Sequence, residues 1–345
     1  MKKKISIGDI AKHLNISKTT VSFVLNGKAR EKHISESLEE KVLTYIKEVG
    51  YKPNAFARGL RTGKTKIIGM LVEDISDPFF ASIARMIEEE ANKKGYRIIY
   101  SSTENDTERT KALIDIYRTR QVDGYIIAPP PGVEEDIRSL MHDNLPVILF
   151  DRYFPDLQTD NVVVDNFEAT YNAVQHFFNN DYKNVAFVTL PSEQIQMQER
   201  LRGYQTVINE RKDRAYIKKI GFHDEHSLIV KDIEGFLKAN KRIDAVFFAT
   251  NYLADAGLEA IRNLGLSIPG DLGVIVFDDY RLFRLFTPSI TAISQPIQEI
   301  SETVIKLLLS KLTSSPKVLE PNTVVISTSL IIRNSSRAVS VEASL

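Results

Sequence analysis

From residue 67 onward the chain alternates short apolar runs with helix-length stretches, and this alternation restricts the possible folds more than any other feature. The strand-like runs are residues 67–72, 97–100, 124–128, 147–150, 162–164, 185–188, 245–249 and 274–277. Helical stretches such as 80–94, 168–179, 196–211 and 253–264 separate most of them. Apolar strands spaced by helices imply parallel sheets covered on both faces. About eight such units are many for one sheet, so two doubly wound lobes are expected. Ligands of such sheets bind beyond the C-terminal strand ends. Two facing lobes would therefore enclose a cleft.

The N-terminal segment follows the helical period instead. Ser6, with Asp9 three residues on, reads as a capping-box-like helix start. Ile7, Ile10, Ala11 and Leu14 fall on one face. Asn15 is a natural stop, because Asn tolerates the left-handed turn. Ser17 caps a second helix with Val21, Val24 and Leu25 inward and Lys18, Thr19, Thr20 and Ser22 outward. A third helix over 35–49 has Leu38, Val42, Leu43 and Ile46 on its apolar face and ends at Gly50. Short helices of this kind bury too little surface to be stable alone. They make sense as a scaffold that holds one polar helix face against a DNA groove. Next, Pro53 can open a short helix that Gly59 weakens by roughly 1 kcal/mol relative to Ala. Such a segment is marginal by itself and suited to folding on a partner. Thr62-Gly63-Lys64-Thr65 reads as a linker.

Charge divides the chain in the same place. Residues 1–66 hold 15 Lys and Arg against 6 Asp and Glu, whereas the rest holds 30 against 39, for a net charge of zero over 345 residues. The basic part is the electrostatic footprint of a nucleic-acid-binding head, and the acidic part is unsuited to DNA. The absence of cysteine excludes disulfides and thiolate metal sites. The start Met-Lys-Lys-Lys is not followed by the apolar core of a secretory signal, and no run of 18 apolar residues suggests a membrane span. A cytoplasmic protein without membrane, metal or cofactor is expected.

The strand ends carry polar groups suited to a sugar. Asp77-Pro78-Phe79-Phe80 follows the first strand, Asp151-Arg152 another, then Thr250-Asn251 and Asp278-Asp279, and Arg200 lies near a helix start. Carboxylates, guanidiniums and amides form paired hydrogen bonds to vicinal hydroxyls, and Phe faces stack on sugar rings.

Together these motifs resemble the LacI/GalR family of transcription regulators over nearly the whole chain. Ile7-x-Asp9-Ile10-Ala11, Ile16-Ser17-x-x-Thr20-Val21-Ser22 and Leu25-Asn26-Gly27 match the family's head. Gly50-Tyr51-x-Pro53-Asn54-x-x-Ala57-Arg58-Gly59-Leu60-Arg61 matches its hinge helix. Asp77-Pro78-Phe79-Phe80, Arg200-x-x-Gly203 and Pro269-x-Asp271 match a body similar to periplasmic sugar-binding proteins. The resemblance implies an all-α helix-turn-helix head plus hinge helix, followed by an α/β periplasmic-binding-protein-like core of two doubly wound lobes. The head spans 1–50, the hinge and linker 51–65 and the core 66–345. One lobe takes about 66–162 plus 294–325, the other about 163–293 plus 326–340.

The resemblance also assigns residues. DNA would be met by Ser17, Lys18, Thr19, Thr20, Ser22, Phe23, Asn26 and Arg30 in the head, and by Asn54, Ala57 and Leu60 in the hinge. Lys18 and Thr19 would touch base edges or phosphates in the major groove, Thr20 and Ser22 the backbone, and Arg30 a guanine. Leu60 would wedge a minor-groove base step open. Phe23 stands where a polar reader is common, so it packs on a thymine methyl or reads nothing. A small-molecule effector, a sugar or sugar phosphate, would contact Asp77, Phe79, Phe80, Asp151, Arg152, Arg200, Phe222, Asn251, Asp278 and Gln295. Tyr252 and Val276 depart from the usual Asp and Gly of the family, and Tyr252 adds an aromatic wall or hydroxyl near the cleft.

The implied protein is a sequence-specific repressor of carbohydrate-utilisation genes, acting as a homodimer on a pseudo-palindromic double-stranded operator. The Ser-rich end after Arg333 lacks leucine heptads, which favours a dimer over a larger assembly. An enzyme is the rival reading. Gly63-Lys64-Thr65 superficially matches a phosphate-binding loop, but Arg58 stands where its first Gly belongs. His223 and His226 lack a third placed ligand for a metal. A transport-type binding protein fits the body but not the head.

Overall fold

The computed structural model describes residues 5–51, 64–221, 225–313 and 321–337. The chain divides into two compact units, Met1–Thr65 and Lys66–Leu345. The hinge residues Asn54, Ala57 and Leu60, and Phe222 and His223 of the core, lie outside the described residues.

The first unit is built on helices α1 (Ile7–His13), α2 (Lys18–Leu25) and α3 (Glu36–Glu48). The Ser6 hydroxyl accepts from the Asp9 amide while the Asp9 carboxylate accepts from the Ser6 amide, a reciprocal capping box. Asn15 turns the chain at φ 53°, and Ser17 caps α2 by accepting from the Thr20 amide at 3.0 Å. Ile10, Ala11, Val21, Val24, Ala29 and Val42 form the small core, and His13 stacks on Tyr45 at 4.0 Å. Leu43 departs from the expected apolar face: it is 47% exposed. It follows Val42 directly, and one residue turns the helix by about 100°, which carries it off the face that Val42 buries.

In the second unit, two six-stranded sheets have the orders β11-β5-β4-β3-β1-β2 and β12-β10-β9-β8-β6-β7. The first comprises β1 (Ile67–Val72), β2 (Arg97–Ser102), β3 (Gly124–Ile127), β4 (Val147–Phe150), β5 (Asp160–Val164) and β11 (Thr323–Ile326). The second comprises β6 (Val185–Thr189), β7 (Tyr216–Lys219), β8 (Ala245–Phe248), β9 (Gly273–Phe277), β10 (Thr291–Ser294) and β12 (Ser329–Ile331). Every pairing is parallel except β10 with β12. The chain thus leaves the first sheet after Val164, returns after Ser294 and crosses again between Ile326 and Ser329. Strands β3, β4, β5, β6, β8 and β9 are buried along their whole length, which explains the unbroken runs of apolar and small residues in β3, β4, β8 and β9. β7, β10, β11 and β12 escaped the sequence reading: β7 and β12 are edge strands with polar residues, and β10 and β11 are runs of four residues that begin with Thr.

Helices cover the sheets. α4 (Pro78–Lys93) and α12 (Ile297–Thr313) pack together in the first lobe, and α7 (Asn166–Asn179) and α8 (Ile195–Arg211) in the second. Gly203 lets α8 approach α7 closely: a Cβ there would lie 2.6 Å from the Phe167 carbonyl oxygen and 3.0 Å from the Tyr171 amide nitrogen. Both obstructing atoms belong to helical backbone and cannot swing aside. Gly203→Ala is therefore expected to destabilise the chain by roughly 1–3 kcal/mol, despite the better helix propensity of Ala. Urea unfolding measures this, and an unchanged or raised midpoint would refute the close-approach role.

Candidate functional site

The two sheets present their C-terminal strand ends to one cleft. Residues from the ends of β1 (Glu73, Asp77), β4 (Asp151), β6 (Leu190), β8 (Thr250, Asn251), β9 (Asp278) and β10 (Gln295) line a cavity of about 50 Å³. Phe79, Phe80 and Arg200 line it too, as do Gln194, Gln196, Met197 and Tyr252. Wider openings flank it, one of about 500 Å³ bordered by Phe79, Tyr280, Arg281 and Arg284. The other, of about 330 Å³, is bordered by Asp74, Ser76, Asp255 and Tyr280. The central cavity holds only a few waters at one per roughly 10–15 Å³, so a sugar-sized ligand must widen it.

Each lobe places one arginine deep in this region. Arg200, 3% exposed, donates from Nε to Asn166 Oδ1 and from Nη1 to the Ala249 carbonyl, both at 2.8 Å. Its guanidinium stacks 3.5 Å over the Phe277 ring, and Asp278 Oδ2 is 3.8 Å away. Burial pulls the Arg200 pKa below its ordinary value, with Asp278 and Asp151 opposing. Arg152, 2% exposed, meets Glu73 Oε2 at 2.6 Å, Asp151 Oδ2 at 3.1 Å and Asn105 Oδ1 at 3.0 Å. Burial works to lower its pKa, but Glu73 and Asp151 outweigh it and hold Arg152 above the ordinary range.

Asp151 and Asp278 reach the cleft through the same backbone device. Both adopt positive φ, 65° and 76°, although neither is glycine. Strained residues of this kind concentrate at functional sites, where surrounding bonds hold them. Here the Asp151 amide donates to the Val162 carbonyl at 3.0 Å and the Asp278 amide to the Ile293 carbonyl at 3.1 Å. Burial raises the pKa of Asp151 and Asp77, and pushes Asp278 up to about 6 against the pull of Arg200 and Gln295. Two hydrogen bonds among the described residues join side chains of the N-terminal half of the core to the opposite lobe across the cleft. Asn251 Nδ2 donates to Asp77 Oδ2 at 2.9 Å, and Gln194 Nε2 donates to Asn105 Oδ1 at 3.2 Å.

Of the effector residues expected from sequence, Asp77, Phe79, Phe80, Asp151, Arg200, Asn251, Asp278 and Gln295 line this one cavity. Arg152 does not. It sits behind the wall with its donors turned to Glu73, Asp151 and Asn105, because a guanidinium this buried must be met by acceptors of the protein. Glu73, Asn105, Gln194 and Gln196 were missed. Glu73 directly follows β1, so the strand-end rule could have found it; Gln196 lies one helical turn before Arg200 on the same face.

In the head, Lys18 and Thr19 stand exposed at the start of α2. Ser17 and Thr20 share a hydroxyl hydrogen bond of 2.9 Å, and Asn26 Nδ2 donates to the Ser22 carbonyl. Phe23 is half-buried, with the Lys32 ammonium 5.7 Å from its ring centre. Arg30 is exposed in the loop after α2 and faces Glu36 at 3.5 Å.

Two family models match this architecture: bacterial regulatory proteins of the lacI family over residues 6–54, and the periplasmic binding protein-like domain over 174–336. The chain is 31% identical to the catabolite control protein A of Priestia megaterium over 88% of its own length and 91% of that protein's. A lac repressor dimer bound to operator and the anti-inducer ONPF aligns over 97% of this chain and 100% of its own, at 20% identity and a TM-score of 0.84. A periplasmic binding protein/LacI transcriptional regulator from Alkaliphilus metalliredigens QYMF, complexed with D-xylulofuranose, covers 79% of this chain and 100% of its own, at 24% identity and a TM-score of 0.69. These last two likenesses show the fold. A helix-turn-helix head followed by a two-lobed binding core defines a class of DNA-binding regulators, not of enzymes. The chain belongs to the lacI family of bacterial regulatory proteins, and it is a DNA-binding transcriptional repressor. Among the described residues, no helix is long and apolar enough to cross a membrane and no cluster of side chains is arranged to hold a metal.

The pKa of Asp278 makes a test of the cleft. In the folded chain it titrates at about 6, above its ordinary value of 3.8. Its contribution to stability is unfavourable above about pH 6 and is relieved as pH falls through that value towards the unfolded pKa. Between about pH 7 and about pH 5 the native chain should therefore gain melting temperature relative to Asp278→Asn. Parallel pH profiles for the two proteins would refute the buried placement of this carboxylate.

Proposed function

We propose that this repressor controls carbohydrate-utilisation genes and that a sugar or sugar phosphate bound between the lobes sets its affinity for DNA. The observation that carries this reading is the cleft: carboxylates, an arginine and amides converge with Phe79 and Phe80 on one cavity between two lobes. Such groups match the hydroxyls and apolar faces of a sugar ring. The D-xylulofuranose complex of the Alkaliphilus relative supports the same ligand class. Widening the cavity to admit a sugar strains the contacts of Asp77 with Asn251 and of Asn105 with Gln194, so occupancy is coupled to the angle between the lobes.

At the other end, Ser17, Lys18, Thr19, Thr20, Ser22, Phe23, Asn26 and Arg30 present α2 and the loop after it to a major groove, and Asn54, Ala57 and Leu60 engage the minor groove. The chain acts as a homodimer on a pseudo-palindromic operator, since two-fold protein symmetry imposes matching half-sites. The lac repressor dimer on its operator supports this arrangement. Effector and DNA affinities are then linked by a reciprocal coupling of roughly 1–3 kcal/mol.

Mobility-shift titration on DNA upstream of the chain's own gene neighbourhood tests the reading. A specific shift is expected that one sugar or sugar phosphate weakens or strengthens. Lys18→Ala should weaken binding by roughly 1–3 kcal/mol while leaving the melting temperature of the chain unchanged, because Lys18 is exposed. The absence of a specific shift at any salt concentration, or a shift that no carbohydrate alters, would sink it.

A further inference from the structure

One corner of the cleft has its amides oriented by a guanidinium. Arg152 can only donate, so Asn105, 3.0 Å from its Nη1, must present Oδ1. Gln194 Nε2 donates to that same oxygen at 3.2 Å, which leaves Gln194 Oε1 as an acceptor. Gln196 Nε2 fills it at 3.2 Å. Gln196 must therefore turn its own Oε1 away from Gln194. Flipping the Gln196 amide gains nothing, because two amide oxygens would then face each other.

Gln196 lines the cavity and is 6% exposed, and its Oε1 is buried with no hydrogen-bond partner among the described residues. A buried acceptor without a donor is costly and signals a missing partner. The charge around it has the same sense. Glu73, Asp77, Asp151 and Asp278 line the cavity with Arg200, and Arg152 behind the wall pairs with Glu73 and Asp151, so four carboxylates stand against two guanidiniums. Carboxylates outnumber guanidiniums at this surface. The further cations Arg281 and Arg284 are exposed at the outer opening and do not line the central cavity.

We infer that Gln196 contacts the effector by accepting a hydrogen bond from a ligand hydroxyl, and that the cleft takes an uncharged polyhydroxylated ligand while rejecting phosphorylated or carboxylated ones. This rests on the carbohydrate reading of the cleft and narrows it. An anion would enter where four carboxylates face two guanidiniums, whereas a neutral polyol brings no charge and supplies the donor that Gln196 lacks. The amide relay makes Gln196 a specificity residue whose acceptor orientation is set from Arg152.

The test uses the full chain in thermal-shift and calorimetric titrations with D-glucose, D-galactose, D-ribose and D-xylulose, their phosphates, and glucuronate. At least one neutral sugar is expected to bind, and its phosphate about 100-fold more weakly or worse. Gln196→Met, which keeps the size and removes the acceptor, should weaken that sugar by about tenfold or more. The ligand-free melting temperature should hold or rise, because the variant loses an unsatisfied buried acceptor and half-buried Gln194 can turn its freed oxygen to water. A purely structural Gln196 would lower that temperature and leave the sugar affinity in place. Equal or tighter binding of a phosphate or of glucuronate, or binding to Gln196→Met within about twofold of the native chain, would overturn the inference and leave the carbohydrate reading standing. If nothing in the panel binds, the carbohydrate reading falls and the inference with it.

Discussion

Two guanidiniums that cannot shed their protons are buried beside the cleft, one in each lobe, and the surrounding geometry follows from meeting their donors. Leaving a buried charge without a partner costs several kcal/mol. In the first lobe Glu73, Asp151 and Asn105 answer Arg152; in the second Asn166, the Ala249 carbonyl and Asp278 answer Arg200. All but Asn166, which opens α7, come from loops at strand ends, so satisfying the arginines pins the loops that form the cleft. Asp151 and Asp278 take left-handed backbone to reach their places, a repeated solution on two sheets of like topology.

The same networks prepare the site for a ligand. Carboxylates held by arginine still have lone pairs to offer, and burial keeps Asp77, Asp151 and Asp278 less acidic than usual. The aromatic pair Phe79 and Phe80 supplies the apolar wall, fixed by Pro78 at the helix start and by the Asp77 cap. Asp77 thus has two tasks. One oxygen caps α4 through the Phe79 amide, and the other receives Asn251 from the opposite lobe. A residue that caps a helix is therefore also a point of contact between lobes.

Much of this was visible in the amino-acid order. Buried strands announced themselves because both faces of β3, β4, β8 and β9 are covered and tolerate only apolar or small residues. The caps Ser6 and Ser17 were readable because capping chemistry is local. The edge strands β7 and β12 were not, since partial solvent exposure lets polar residues in and erases the pattern. Among the cleft residues, those ending apolar strands stood out, while Asn105, Gln194 and Gln196 sit in a loop or at a helix start, where Asn and Gln are ordinary.

The sequence by itself determined the alternation of strand and helix, the separation of a basic head from an acidic core, and the small apolar core that holds α2 with Lys18 and Thr19 outward. These follow from periodicity and charge, which act over a few residues and survive without knowledge of the fold. Only the tertiary structure decided which polar groups meet. Arg152 neighbours Asp151 in sequence, yet its placement behind the cavity depends on Glu73 and Asn105, 79 and 47 residues away. The direction in which Gln196 turns its oxygen depends on that placement through two further amides. Hydrogen-bond orientation passes through space from donor to acceptor, and no spacing along the chain encodes it.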